Sequence, residues 1–258
     1  MIAKPRVLFV GGYGRSGSTL IDLALASVPG IVPVGEFRHL FGRALGDNEL
    51  CSCGRPFQEC PFWAEVIENA FPDGLDRAAV QDSMQAINRV VAVPRLRMEA
   101  LAGSAFRRHM AVYGEAMAAA YRAVLEITGS AVIVDSSKYP LHGLFLRASS
   151  IADLSVMLLV RDARAVAYSW TRKRLRPEVH WEERYMPRHS LLRSSAAWSA
   201  SNYLTRMLDD GATPFRVQRY EDFVKDPDGQ LAEIAAFALG QPPAAPVAFG
   251  PAPRGETH

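Results

Sequence analysis

Eight residues near the start, Gly12-Tyr13-Gly14-Arg15-Ser16-Gly17-Ser18-Thr19, constrain the fold more than any other stretch of this chain. They follow a short apolar run, Val7-Leu8-Phe9-Val10, and precede an apolar-periodic run with Leu20, Ile21, Leu23 and Ala24. The order is strand, glycine-rich turn, helix N-terminus. Such a unit aims backbone N–H groups and the positive end of a helix dipole at one point, which suits phosphate or sulfate. The glycines fit a P-loop frame, G-x4-G-x-[ST], but Ser18 stands where the P-loop lysine belongs. The cation sits inside the loop instead, as Arg15. The loop therefore suits a nucleotide anion and is not built for ordinary ATP or GTP hydrolysis.

The rest of the chain repeats the alternation. Apolar runs at 131–134 and 155–160 read as strands closing on Asp135 and Arg161, and 215–220 reads as a further strand that precedes Glu221-Asp222. The first two are apolar throughout, as strands covered on both faces are. Helices are expected at 78–127, 141–149, 162–173, 190–209 and 226–240. In the first of these Phe106, Met110, Tyr113, Met117 and Tyr121 form an apolar stripe. Residues 37–75 and 176–189 read as loops, the second as a mobile one, and the tail from Gln241 as irregular. Alternating strands and helices predict an α/β fold, a parallel β-sheet flanked by helices on both faces in a P-loop-like three-layer architecture. One domain spanning 1–258 is expected, with 37–128 inserted on its acceptor side and 241–258 as a tail. Functional groups then gather at the carboxyl ends of the strands, where Arg15, Asp135 to Lys138, Arg161 and Tyr220 fall.

Charge narrows the partners. The 29 basic and 27 acidic residues nearly cancel, so bulk charge makes no case for nucleic acid or a membrane surface. No apolar run approaches the ~18–20 residues of a membrane span, and the N-terminus carries no signal-peptide core. The chain reads as cytoplasmic. Its three cysteines, Cys51, Cys53 and Cys60, lie close together without the spacing of paired C-x2-C knuckles. They read as a cysteine-bearing surface loop with room for one disulfide. A zinc site with His39 as fourth ligand is the alternative.

Four stretches together resemble the sulfotransferases that use 3′-phosphoadenosine 5′-phosphosulfate (PAPS). Tyr13 to Thr19 is similar to their 5′-phosphosulfate loop. Val160-Arg161-Asp162 through Ser169 is similar to their 3′-phosphate segment, an arginine at a strand end and a serine eight residues on. Asp135-Ser136-Ser137-Lys138-Tyr139-Pro140 resembles the turn that feeds their active site. Arg219 to Val224 with Asp226-Pro227 resembles their late strand-to-helix element. The Arg-Ser-Gly-Ser-Thr form, with Gly35-Glu36 downstream, is nearest to carbohydrate and tyrosylprotein sulfotransferases. The family's basic, glycine-rich segment near the C-terminus has only Arg254-Gly255 as a counterpart, so the tail reads as shortened.

The resemblance implies roles. Arg15 would meet the 5′-phosphate and the bridging oxygen, with N–H and hydroxyl donors from Ser16, Gly17, Ser18 and Thr19. Glu36 would be the general base, its pKa raised by burial, with His39 and His142 as fallbacks. Lys138 would touch the transferring sulfuryl group. Arg161 and Ser169, helped by Lys173, would grip the 3′-phosphate. Tyr220 stands near the donor or in the core, and Asp135 positions its neighbours. The reaction would be metal-free, sulfating a hydroxyl of a small molecule or glycan chosen by residues 37–128 and 174–190. Two other readings stay open: a P-loop-like nucleotide kinase, and a non-catalytic nucleotide-binding protein.

Overall fold

Five parallel strands form one sheet in the order β2-β3-β1-β4-β5: β1 Arg6–Gly12, β2 Ile31–Pro33, β3 Val132–Lys138, β4 Asp153–Val160 and β5 Phe215–Arg219. This computed structural model describes residues 3–250. Side chains alternate across the sheet with period 2. Val7 and Phe9 of β1, Ile133 of β3 and Val156 of β4 enter one core, while Leu8, Val10, Val134 and Met157 enter the other. Both faces are thus buried, which explains the apolar runs Val7 to Val10 in β1, Val132 to Val134 in β3 and Val156 to Val160 in β4.

The second core lies under α1 (Ser18–Leu25) and α10 (Pro227–Leu239). The first lies under α2 (Pro61–Ala70), α3 (Arg77–Ile87), α5 (Ser104–Thr128) and α6 (Pro140–Ser149). The expected stripe on α5 packs there through Phe106, Tyr113, Met117 and Tyr121. The expected helix over 78–127 is instead three, α3, the short α4 (Val93–Arg97) and α5. Pro94 in the first turn of α4 cannot continue a preceding helix. Residues 37–75 are not all loop: α2 begins after Cys60, with Pro61 pre-set for a first helical turn.

After β4 come α7 (Ala163–Thr171), capped by the Asp162 carboxylate on the amides of Arg164 and Ala165, and α8 (Leu191–Arg206). Tyr220 does not end a strand; it opens α9 (Tyr220–Lys225). The segment 174–186 is a short irregular hairpin with Leu175 bridged to Tyr185. It is tied down rather than loose, by Leu50 N–H to the Glu178 carbonyl at 2.8 Å and Arg176 to Glu49 at 2.6 Å. The connections after β1 and β4, neighbours in the sheet, leave toward opposite edges. That is a topological switch point, where such folds open a ligand crevice. Arg254-Gly255 lies outside the described residues.

Candidate active site

The turn between β1 and α1 leaves amides free to face the crevice. Gly17 caps α1 at φ 95° with no side chain to offer, so no side chain occupies the first-turn N–H groups of Ser18 and Thr19. Arg15 also holds a positive φ, 72°, a conformation non-glycine residues adopt rarely and mostly at functional turns. Ser16 is buried and its hydroxyl donates to the Tyr13 carbonyl at 2.6 Å, closing the turn. The Tyr220 ring fills the space a Cβ on Gly17 would need, so a side chain there would expel the ring or the loop. The same ring carries the Arg161 guanidinium, 4.5 Å from its centroid. Arg161 Nη1 donates to the Arg15 carbonyl at 3.2 Å. Two of the expected cations are thereby locked to each other through the backbone, and Tyr220 braces both. The Arg15 side chain lies over the Trp170 ring at 5.1 Å.

A β-bulge sets the third cation. β3 pairs with β1 in register up to Asp135 opposite Phe9, but Gly11 then faces Lys138, one residue late. The extra residue turns Lys138 to φ 60° and re-aims its side chain. Lys138 Nζ reaches Glu36 Oε1 at 2.8 Å and Ser18 Oγ at 3.0 Å. His39 Nε2 meets the other Glu36 oxygen at 3.2 Å. Burial alone would push the Glu36 carboxyl up, as the sequence reading expects. The His39 hydrogen bond and the Lys138 charge outweigh it and hold the group well below the usual carboxylate range. Burial drives His39 down to about 4 despite its bond to Glu36, so near neutrality it is an uncharged imidazole donating through Nε2.

Behind this surface lies a sealed polar network. Asp135 is fully buried and accepts from Tyr121 Oη at 2.6 Å, His142 Nε2 at 3.0 Å and the Ser137 amide at 2.9 Å. Burial pushes Asp135 up, but His142 and these donors bring it below its ordinary value, so it stays ionised. The Ser137 hydroxyl also accepts from the Arg38 amide at 3.0 Å, tying the Glu36 segment to β3. Asp135 and His142 therefore fix the bulge and its neighbours and do not face the crevice. Nearby, Ser136 Oγ donates to Asp22 at 2.5 Å, and burial raises the Asp22 carboxyl to about 7.

One cleft of about 350 Å³ gathers Arg15, Gly17, Ser18, Thr19, Glu36, Lys138, Arg161 and Ser169. Ser16 and Tyr220 lie beneath it as supports. Lys173 lies elsewhere, its ammonium 3.7 Å above the Tyr185 ring. Trp170, Arg174, Glu178 and Met186 also line the cleft and were not singled out by sequence. Arg174, Glu178 and Met186 fall in the 174–190 stretch expected to choose the acceptor, but no local pattern marks them individually. A second cavity of about 290 Å³ shares Glu36, Glu178 and Met186 with the first and continues past His39, Leu40, Phe57 and Trp63. The largest cavity described, about 600 Å³, lies between α4, α5 and α6 and holds none of the expected site residues. Charge fits an anionic ligand: Arg15, Lys138, Arg161 and Arg174 share the first cleft with two carboxylates, one of them already paired.

A family model described as "Sulfotransferase family" matches residues 5–241. No curated protein matches the chain. Among solved structures, the sulfotransferase domain from the curacin biosynthetic pathway is similar at TM-score 0.50 and 18% identity, over 93% of this chain and 75% of that one. A sulfotransferase from Alicyclobacillus acidocaldarius gives TM-score 0.46 and 16% identity, over 96% and 86% of the two chains. The sulfotransferase domain of the Synechococcus PCC 7002 olefin synthase gives 0.43 and 20%, over 93% and 75%. At these identities the first likeness is one of fold. Among the described residues no helix is long and apolar enough to cross a membrane.

Proposed function

The chain belongs to the sulfotransferase family, and from that premise we propose that it transfers a sulfuryl group from PAPS to a hydroxyl of an acceptor seated in the adjoining cavity. The observation that carries this reading is one cleft that brings the turn after β1 together with Arg161, Ser169, Glu36 and Lys138, Glu36 also lining the second cavity. The cleft fits the donor chemically. Free first-turn amides and Arg15 suit the 5′-phosphosulfate, and Arg161 with Ser169 suits a 3′-phosphate.

The step is a direct displacement. An acceptor oxygen bonds to sulfur as the bond from sulfur to the 5′-phosphate oxygen breaks, and 3′-phosphoadenosine 5′-phosphate leaves. Charge grows on the leaving oxygen, where Arg15 stabilises it by charge and fork geometry; its pKa is too high for it to act as an acid. The acceptor proton passes to Glu36. Before the donor binds, Lys138 lies on Glu36 and Ser18. The sulfuryl oxygens draw Lys138 away, and Glu36 loses that opposing charge and becomes more basic when a proton is to be taken. His39 keeps its hold on the other oxygen and orients the carboxylate.

The acceptor enters from the second cavity. Leu40, Phe57 and Trp63 give it apolar walls. At the junction of the cavities Glu178 Oε2 is buried without a partner, so it suits an acceptor hydroxyl. The test is transfer of labelled sulfuryl from PAPS over a panel of hydroxyl acceptors, with Glu36→Gln alongside. General base catalysis contributes ~10²–10⁴-fold; turnover should fall by that order while donor binding persists. Undiminished turnover in Glu36→Gln would remove the base from this scheme.

A further inference from the structure

The described residues contain one group of sulfurs outside the cleft. Cys51, Cys53 and Cys60 bring their Sγ atoms within 4.8 Å of one another. Cys51 and Cys60 are buried and Cys53 is exposed. The chain is bent to do this. Gly54 at φ 84° turns the loop, its N–H bonds to the Cys51 carbonyl at 2.9 Å, and Cys51 N–H bonds to the Arg55 carbonyl at 2.8 Å. Three sulfurs brought together by one short turn suit a soft cation, whose charge would favour thiolates there although burial pushes the Cys51 thiol up to about 11 when it stands alone.

We propose that Cys51, Cys53 and Cys60 bind one Zn²⁺ as three thiolates, with solvent as the fourth ligand on the exposed side of Cys53. The distances fit. Zn–S bonds of about 2.3 Å in a tetrahedron put sulfurs ~3.8 Å apart, and Cys53 and Cys60 are 3.6 Å apart. The widest pair needs to close by about 1 Å. A disulfide needs the nearest pair to close by about 1.6 Å and leaves the third sulfur without a purpose. Three soft ligands select zinc over magnesium or calcium. His39, which the sequence offers as a fourth ligand, is bonded to Glu36 instead and is not in the group. Binding displaces the three thiol protons and changes no oxidation state.

The site is a clamp and takes no part in the sulfuryl step. Glu49 and Leu50 precede Cys51 and hold the 174–186 hairpin through Arg176 and Glu178. Cys60 immediately precedes α2, whose Trp63 lines the second cavity with Glu49, Leu50 and Phe57. Zinc therefore fixes both walls of that cavity at one point.

The test uses the full chain, purified under reducing conditions, loaded with zinc and passed over a gel-filtration column with a weak chelator. Elemental analysis should find about one zinc per chain, and the three cysteines should alkylate only after strong chelation. Cys53→Ser alters an exposed side chain and spares the packing. It should weaken zinc by more than about a hundredfold, since losing a ligand costs more than losing an outer contact. Cobalt(II) in place of zinc should give sulfur-to-cobalt charge-transfer bands and four-coordinate visible bands, lost in Cys53→Ser. Chelation should speed amide exchange across 174–186 and leave β1 and β4 unchanged. Zinc well below one per chain, equal affinity in Cys53→Ser, or a Cys53–Cys60 disulfide in chain never exposed to oxidant would overturn the site. Unchanged exchange across 174–186 would overturn the clamp.

Discussion

Replacing Lys138 with Met keeps the stem and removes one charge, and two effects then oppose each other. Lys138 Nζ lies 2.8 Å from Glu36 Oε1. At an effective dielectric of about 20 that separation is worth ~6 kcal/mol. The Glu36 side chain is 42% exposed, however, so solvent reduces the coupling to about 1 kcal/mol. In the donor-free chain the freed Glu36 becomes a stronger base, a gain of less than about tenfold. Losing a positive charge aimed at the developing transition state costs ~10²–10³-fold. The loss wins. Single-turnover sulfuryl transfer measured against pH should show a plateau lower by ~10²–10³-fold, with donor affinity changed by less than about tenfold because the charge acts chiefly in the transition state. At subsaturating donor, where the free enzyme's carboxyl sets the acid limb, that limb should move to higher pH, since Lys138 holds the carboxyl down only before the donor binds. A wild-type plateau, or an acid limb that does not move, would refute the coupling of Lys138 to both the sulfuryl group and Glu36.

Arg161→Ala should weaken 3′-phosphoadenosine 5′-phosphate by roughly tenfold to a hundredfold and a nucleotide without the 3′-phosphate by clearly less, the remaining loss coming from its hold on the Arg15 carbonyl; equal losses by calorimetry would sink that assignment. Asp22 has its pKa raised from 3.8 to about 7 in the folded chain, so its stabilising contribution is full below 3.8 and is lost as pH rises through about 7. Asp22→Asn should therefore stabilise the protein by up to about 4 kcal/mol at pH 8, and not at all near pH 3.5; denaturant titrations at the two pH values read the difference, and equal effects at both would contradict it.

The sheet was legible because it obeys short-range rules. Buried parallel strands must be apolar on both faces, so β1, β3 and β4 stand out as runs, and the turn at Gly17 needs a glycine. Arg15, Arg161 and Ser169 could be singled out because they sit just past a strand end or two helix turns beyond one. The failures are tertiary. The bulge that turns Lys138 onto Glu36 arises from pairing with β1, 120 residues or more away in sequence, and no local pattern marks it. The low pKa of Glu36 depends on His39 and Lys138 arriving together, whereas sequence alone suggests only burial. Glu178 and Met186 belong to a hairpin held by Glu49 and Leu50, so their place follows from a long-range contact. Lys173, reasonable by proximity to Ser169, lies past the end of α7 and turns to Tyr185.

The donor nucleotide is the point on which the functional reading rests. Calorimetric titration of the wild-type chain with 3′-phosphoadenosine 5′-phosphate and, separately, with ATP in the presence of magnesium tests it most directly. Arg161 and Ser169 should favour the bisphosphate by at least about tenfold, the worth of one charge-assisted contact, and its binding should not depend on magnesium. Tighter binding of ATP with magnesium, or no preference between the two, would contradict the assignment of the cleft to PAPS.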